Sequence, residues 1–113
     1  MGERVNRPWG CFEQFTENTP STVKIITVDP EENISFQFHH ERDEFWKVLS
    51  GECLIVIGDL FFKATKGDEF FIPKEVKHRI KNSFLAPAEI LEISFGKFNE
   101  NDIIRIEDDY GRI

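Results

Sequence analysis

Short apolar runs of strand length alternate with turn-forming stretches along most of the chain. The runs cover residues 23–28, 34–39, 44–49, 52–57, 61–64, 69–72, 78–81 and 89–95, and they are rich in Ile, Val, Phe and Thr. β-branched and aromatic residues fit a pleated, half-buried surface, so short strands at this spacing predict an all-β sandwich or barrel. Few windows hold a helical period for more than two turns; a short helical turn within residues 101–109 is the one exception expected. No repeat, low-complexity tract or Pro/Gly-rich linker breaks the pattern, and 113 residues fit one domain.

Alternation also assigns faces. On the run 34–39 it puts Ser35, Gln37 and His39 on one side and Ile34, Phe36 and Phe38 on the other. The apolar side would ordinarily be the core. In a barrel with an internal site the polar side can instead face inward, leaving Phe36 and Phe38 for a second sheet or a homodimer contact. In the run 78–81, Lys77, Arg79 and Lys81 alternate away from His78 and read as a solvated outer face.

Composition narrows the setting. Twelve Phe and two Trp argue for a packed core rather than disorder. No apolar run approaches a membrane span, and residues 1–12 show no signal-peptide pattern. Cys11 and Cys53 are too few for a disulfide framework, which points to a reducing, cytoplasmic setting. A net charge of −7 disfavours nucleic acid and anionic membrane as partners, and an anionic substrate would need a local basic cluster.

The chain has three histidines, and two sit where a metal site could form. His39 follows Gln37 by two, on the same face of one strand. Glu44 opens the next strand, and His78 opens a later one. Imidazole nitrogen, amide oxygen and a single carboxylate suit a divalent first-row ion, and such a site keeps a net positive charge and room for substrate oxygens. The alternative for each histidine is an exposed or hydrogen-bonded structural role. His40 points the other way and is set aside as a ligand.

Two stretches resemble the cupin motifs. Residues 31–51 resemble G-x5-H-x-H-x4-E-x6-G, with Gln37 in the first His place, then His39, Glu44 and Gly51; residues 67–82 resemble G-x5-P-x-G-x2-H-x3-N through Gly67, Pro73, His78 and Asn82. Glu31 and Glu75 stand where those motifs have turn glycines. Within the cupins the chain is most similar to the type II phosphomannose isomerase domain that ends bifunctional mannose-1-phosphate guanylyltransferases. Arg7-Pro8-Trp9-Gly10 resembles its R-P-W-G, residues 37–46 its Q-x-H-H-H-R-A-E-H-W, and residues 101–112 its E-D-D-I-x-R and D-x-Y-G-R. Glu41, Asp43 and Phe45 depart from that pattern, replacing His, Ala and His, and the loop 98–102 is a residue shorter.

The resemblance implies a cupin double-stranded β-helix, a jelly-roll barrel with little helix. It also implies one divalent metal on Gln37, His39, Glu44 and His78, with Zn²⁺ first and Mn²⁺, Fe²⁺, Co²⁺ or Ni²⁺ as alternatives. The implied reaction interconverts mannose 6-phosphate and fructose 6-phosphate, with the small sugar phosphate as partner. Arg105 and Glu92 are the candidate catalytic residues, Glu92 as general base unless it is a structural carboxylate. Arg112, Lys97 and Arg7 are candidate phosphate ligands, unless Arg112 only pairs with its acidic neighbours. Trp9 and Trp46 could wall a sugar pocket or lie in the core. The competing classes are a metal- and sugar-binding cupin without turnover, an iron dioxygenase and a nucleotide-sugar epimerase.

Overall fold

The computed structural model describes residues 2–113, and among them there is no helix. Eleven strands follow one another: β1 (Glu3–Arg7), β2 (Gly10–Gln14), β3 (Ser21–Val28), β4 (Phe36–Phe38), β5 (Arg42–Ser50), β6 (Cys53–Ile57), β7 (Leu60–Ala64), β8 (Glu69–Ile72), β9 (His78–Lys81), β10 (Ala88–Gly96) and β11 (Ile104–Glu107). They form a four-stranded sheet in the order β3-β10-β5-β8, a five-stranded sheet in the order β11-β4-β9-β6-β7, and a separate β1-β2 hairpin. All the strand pairings are antiparallel.

The interior changes character along the strands. Inward positions of β5 run Arg42, Glu44, Trp46 and Val48, and their partners on β10 run Gly96, Ser94, Glu92 and Ile90, followed by Ala88. On β9 the inward residues begin with His78 and continue with Ile80. One half of the barrel is therefore apolar, a cluster of Val28, Trp46, Val48, Cys53, Ile55, Ala64, Ile72, Ile80, Ala88 and Ile90. Each of its large side chains contributes about 1.5–3 kcal/mol on burial. The other half is lined by buried polar groups.

Two features hold the apolar end in shape. Asn82 is fully buried, and its amide donates to the carbonyls of Val28 and Ala86, both at 2.9 Å, while its oxygen accepts from the Phe84 N–H. Gly51 has φ +76°, and a Cβ there would collide with the Pro87 carbonyl. Glu31 and Glu75, which stand in glycine places, keep the left-handed backbone that those turns need, at φ 65° and 69°.

Three expectations are corrected. Residues 101–109 hold no helical turn; β11 pairs with β4, because Ile104 and Ile106 flank Arg105 in a strand alternation. Arg79 is not solvated but 7% exposed, with Nε donating to the Ile34 carbonyl at 3.0 Å and Nη1 to Glu107 at 3.1 Å. Trp9 lies neither in the core nor in a pocket: it is 73% exposed at the tip of the β1-β2 hairpin. Phe36 and Phe38 are half-buried, and Phe36 borders an outer groove of about 450 Å³ with Val56, Phe61 and Arg79.

Candidate metal centre

The polar half of the barrel converges on three residues. Ligand atoms of His39, Glu44 and His78 all lie within 4.8 Å of one another, and all three side chains are buried. Glu44 reaches from the four-stranded sheet, with Oε2 3.5 Å from His39 Nε2 and Oε1 3.4 Å from His78 Nε2. His78 enters at the start of β9, and His39 sits just past the end of β4 in the same sheet. Gln37 stands directly across the β4–β9 ladder from His78, with its amide oxygen accepting from Ser35 at 2.6 Å.

Backbone carbonyls fix both imidazoles. His39 Nδ1 is 2.7 Å from the Asp102 carbonyl, and His78 Nδ1 is 2.9 Å from that of Val76. A carbonyl only accepts, so the proton is on Nδ1 in each ring and the Nε2 lone pair turns to the centre. Burial holds both histidines below the ordinary imidazole pKa, which keeps them neutral at pH 7. The donor set fits a divalent cation. His78 Nε2 and Glu44 Oε1 are buried without any hydrogen-bond partner, an arrangement that is costly unless a cation satisfies both.

Around this centre sit groups of two kinds. Glu92 is buried opposite Trp46, and burial, with the nearby Glu44 charge, pushes its carboxyl up to about 7. Trp46 meets His78 edge-on at 5.3 Å and forms the floor between centre and core. Arg42 was not anticipated from the sequence. Its Nε donates to Glu44 Oε2 and its Nη2 to His39 Nε2, both at 3.2 Å. Starting the strand at residue 44 hid it; the same alternation carried back two residues places Arg42 on the interior face.

The other sequence candidates separate cleanly. Arg105 stands across β4 from Gln37, half-buried, with its Nε lacking a partner. Arg112 is an exposed tail residue, its guanidinium held by Asp108 at 2.8 and 2.9 Å. Arg7 stacks over Phe12 at the hairpin tip, and Lys97 is an exposed side chain 3.9 Å from Glu41. None of these three reaches the centre, because each lies on a hairpin, tail or rim that directs it to solvent.

Residues 1–108 match the family model described as mannose-6-phosphate isomerase C-terminal. The chain belongs to this family. Among curated relatives of this isomerase-family chain, the xanthan biosynthesis protein XanB of Xanthomonas campestris pv. campestris is 40% identical over 110 residues, covering 96% of this chain and 24% of that one. The alginate biosynthesis protein AlgA of Pseudomonas aeruginosa is 39% identical, covering 96% and 23%. The chain thus spans about a quarter of the length of these curated relatives. Two solved structures share the fold. The plu4264 protein of Photorhabdus luminescens is 31% identical, with a TM-score of 0.65 over 85% of this chain and 74% of that one. A Klebsiella pneumoniae protein with a double-stranded β-helix domain gives a TM-score of 0.69 at 19% identity, over 95% and 87%. The barrel is a cupin double-stranded β-helix.

The three departures from the family's metal-motif pattern now have locations. Phe45 faces outward and packs on Phe15, with ring centres 5.3 Å apart. Asp43 also alternates outward and accepts the Lys74 N–H at 2.8 Å. Only Glu41, exposed beside Lys97, stands at the rim. Two of the three departures therefore stabilise the outside of the sheet.

Proposed function

We propose that this chain is a metal-dependent sugar-phosphate isomerase interconverting mannose 6-phosphate and fructose 6-phosphate. The observation that carries the reading is Glu92: a carboxyl with a pKa of about 7, buried in the same interior as the His39–Glu44–His78 cluster. A base for C–H abstraction works best with its pKa near the working pH, and a family with isomerase in its name is the setting for such a group.

Gln37, His39, Glu44 and His78 would hold the ion, Zn²⁺ first, with Mn²⁺, Fe²⁺, Co²⁺ or Ni²⁺ as alternatives. When bound, it would supply the Lewis acidity that draws off charge developing on the two substrate oxygens. The remaining work falls to the chain. Glu92 takes the proton from C2 of the open-chain aldose; the electron pair moves into a C1–C2 double bond, and the C1 carbonyl oxygen becomes negative. Glu92 then returns the proton to C1 while the O2 hydroxyl proton passes to O1, so the carbonyl re-forms at C2 and C1 carries the hydroxyl, with no net change in protons. Arg105, opposite Gln37 with a free Nε, would steady the oxygen that carries the charge. Arg42 donates to Glu44 and orients it.

The test is a coupled assay of fructose 6-phosphate formed from mannose 6-phosphate, on protein stripped of metal and reloaded with each ion. Metal-dependent turnover that vanishes in a His39→Ala/His78→Ala double variant supports the reading. Stoichiometric metal binding without turnover overturns it in favour of a metal- and sugar-binding module.

A further inference from the structure

The mouth of the polar half is crossed by the segment that joins β10 to β11. Its far end is pinned by Asp102, whose carboxylate accepts the N–H groups of His40 and Glu41, both at 2.9 Å, and whose carbonyl holds His39. Its middle is held by two cations. The Phe98 ring lies between them, 4.4 Å from Lys24 Nζ and 4.6 Å from the Arg42 guanidinium carbon. Glu100 accepts from Lys24 at 3.0 Å, and the Asn99 carbonyl accepts from Arg42 at 3.2 Å.

Lys24 is placed for more than this contact. It is the ladder partner of Glu92, which is in turn the partner of Trp46, so its side chain leaves β3 on the interior face. From there its Nζ reaches the rim. One strand, β10, separates β3 from the β5 strand that carries Glu44. Two strand spacings put the β3 and β5 backbones about 10 Å apart, so Lys24 stands off the centre on the same interior face. Of the cations expected from the sequence to meet the phosphate, Arg7 stacks on Phe12 at the hairpin tip and Arg112 pairs with Asp108, while Lys97 lies on the strap itself, exposed and turned to Glu41.

We propose that Lys24 anchors the phosphate of a sugar-phosphate substrate, and that Glu100 on the 97–101 strap occupies that anchor until the substrate displaces it. This rests on the sugar-phosphate reading above. The displacement is physically cheap: the Glu100 side chain is 75% exposed and that of Lys24 36%, and ion pairs of this kind contribute little net stability. A phosphate offers more negative charge and more acceptor oxygens than a single carboxylate. Once Glu100 lets go, Phe98 and Asn99 are free to re-form on the ligand. The strap therefore keeps Lys24 and Arg42 partnered between turnovers and selects against neutral sugars, which cannot displace it.

The test is an NMR titration of the full chain with inorganic phosphate, comparing wild type with Lys24→Gln, Glu100→Gln and, as a control, the distant Lys63→Gln. Glu100→Gln is expected to tighten phosphate binding about three- to five-fold and Lys24→Gln to weaken it about ten-fold or more, with Lys63→Gln unchanged. Equal affinity in wild type and Lys24→Gln overturns the proposal, as does an absence of binding even in Glu100→Gln. Binding needs no turnover, so the two readings fail separately. Lys24-dependent binding in a chain that does not isomerise mannose 6-phosphate sinks only the isomerase reading; turnover with Lys24-independent phosphate affinity sinks only the anchor.

Discussion

Glu44 and His78 face each other across the barrel interior, Oε1 to Nε2 at 3.4 Å, with neither atom hydrogen-bonded. A neutral imidazole lone pair beside a carboxylate oxygen has nothing to offer it, so the pair is a cost to the fold unless a cation lies between. Divalent metal should therefore stabilise the chain, by about 2.7 kcal/mol at a hundred-fold excess over Kd. Differential scanning calorimetry with and without a chelator measures this. A His78→Ala variant whose Tm still responds fully to metal would place the ion elsewhere.

Glu92 yields a paired prediction. Its pKa is about 7 in the fold against an ordinary 4.5, so the unfolded chain ionises first as pH rises. The cost to stability begins above pH 4.5 and is complete above about pH 7. Glu92→Gln removes it, and at pH 8 should be more stable than wild type by up to about 3 kcal/mol, a gap that closes as pH falls to 4.5. Urea melts across this range test it.

The same substitution should lower kcat by about 10²-fold or more, since the base is gone. In the wild type, kcat/KM should rise with pH through about 7 as Glu92 ionises. A flat profile with an active Glu92→Gln variant would remove it from the reaction.

Arg42 should behave as a keystone of the polar half. It is 6% exposed and bridges Glu44 to His39, so Arg42→Ala leaves a buried carboxylate without its cation and should cost about 3–5 kcal/mol. Arg42→Lys cannot bridge both partners and should recover only part of this. Metal should rescue Arg42→Ala in a thermal melt, because the ion neutralises the same carboxylate.

Glu31 and Glu75 hold left-handed backbone without the benefit of glycine, at φ 65° and 69°. Replacing either by Gly should stabilise the chain by about 0.5–1 kcal/mol, the local strain outweighing the added chain entropy. Gly51→Ala should do the reverse and more, since its Cβ has no room beside Pro87. Chemical denaturation of the three variants separates these effects.

What was legible in the sequence follows from periodicity. Strands that are short apolar runs bounded by turn-forming residues, such as β6 and β8, came through because β-branched and aromatic residues between turns mark a strand without any alternation. The β1-β2 hairpin did not, because it is exposed on almost every residue and so lacks a face to alternate. β11 was masked by its acidic flanks, and its strand form depends on pairing with β4. In the site, motif spacing carried His39, Glu44 and His78 to one place. Arg42, at a strand start, and Lys24, inside β3, were missed because a charged strand residue looks solvated until the register shows which side it leaves. For Arg7 and Arg112 the sequence shows recognisable motifs, but no local pattern encodes that one stacks on Phe12 at the hairpin tip and the other pairs with Asp108.

The division of the cluster between sheets has a mechanical consequence. His39 and His78 come from the five-stranded side and Glu44 from the four-stranded side, so a cation held by all three would fasten one wall of the barrel to the other. Such a fastening closes a loop of chain between Glu44 and His78, as a disulfide does, but one that opens by dissociation rather than by reduction. It lies at the polar end, away from the cluster of Ile and Val that already joins the walls at the other. The barrel is then a hinged cup: permanently seamed at its base, and latched at its brim only while the ion is in place.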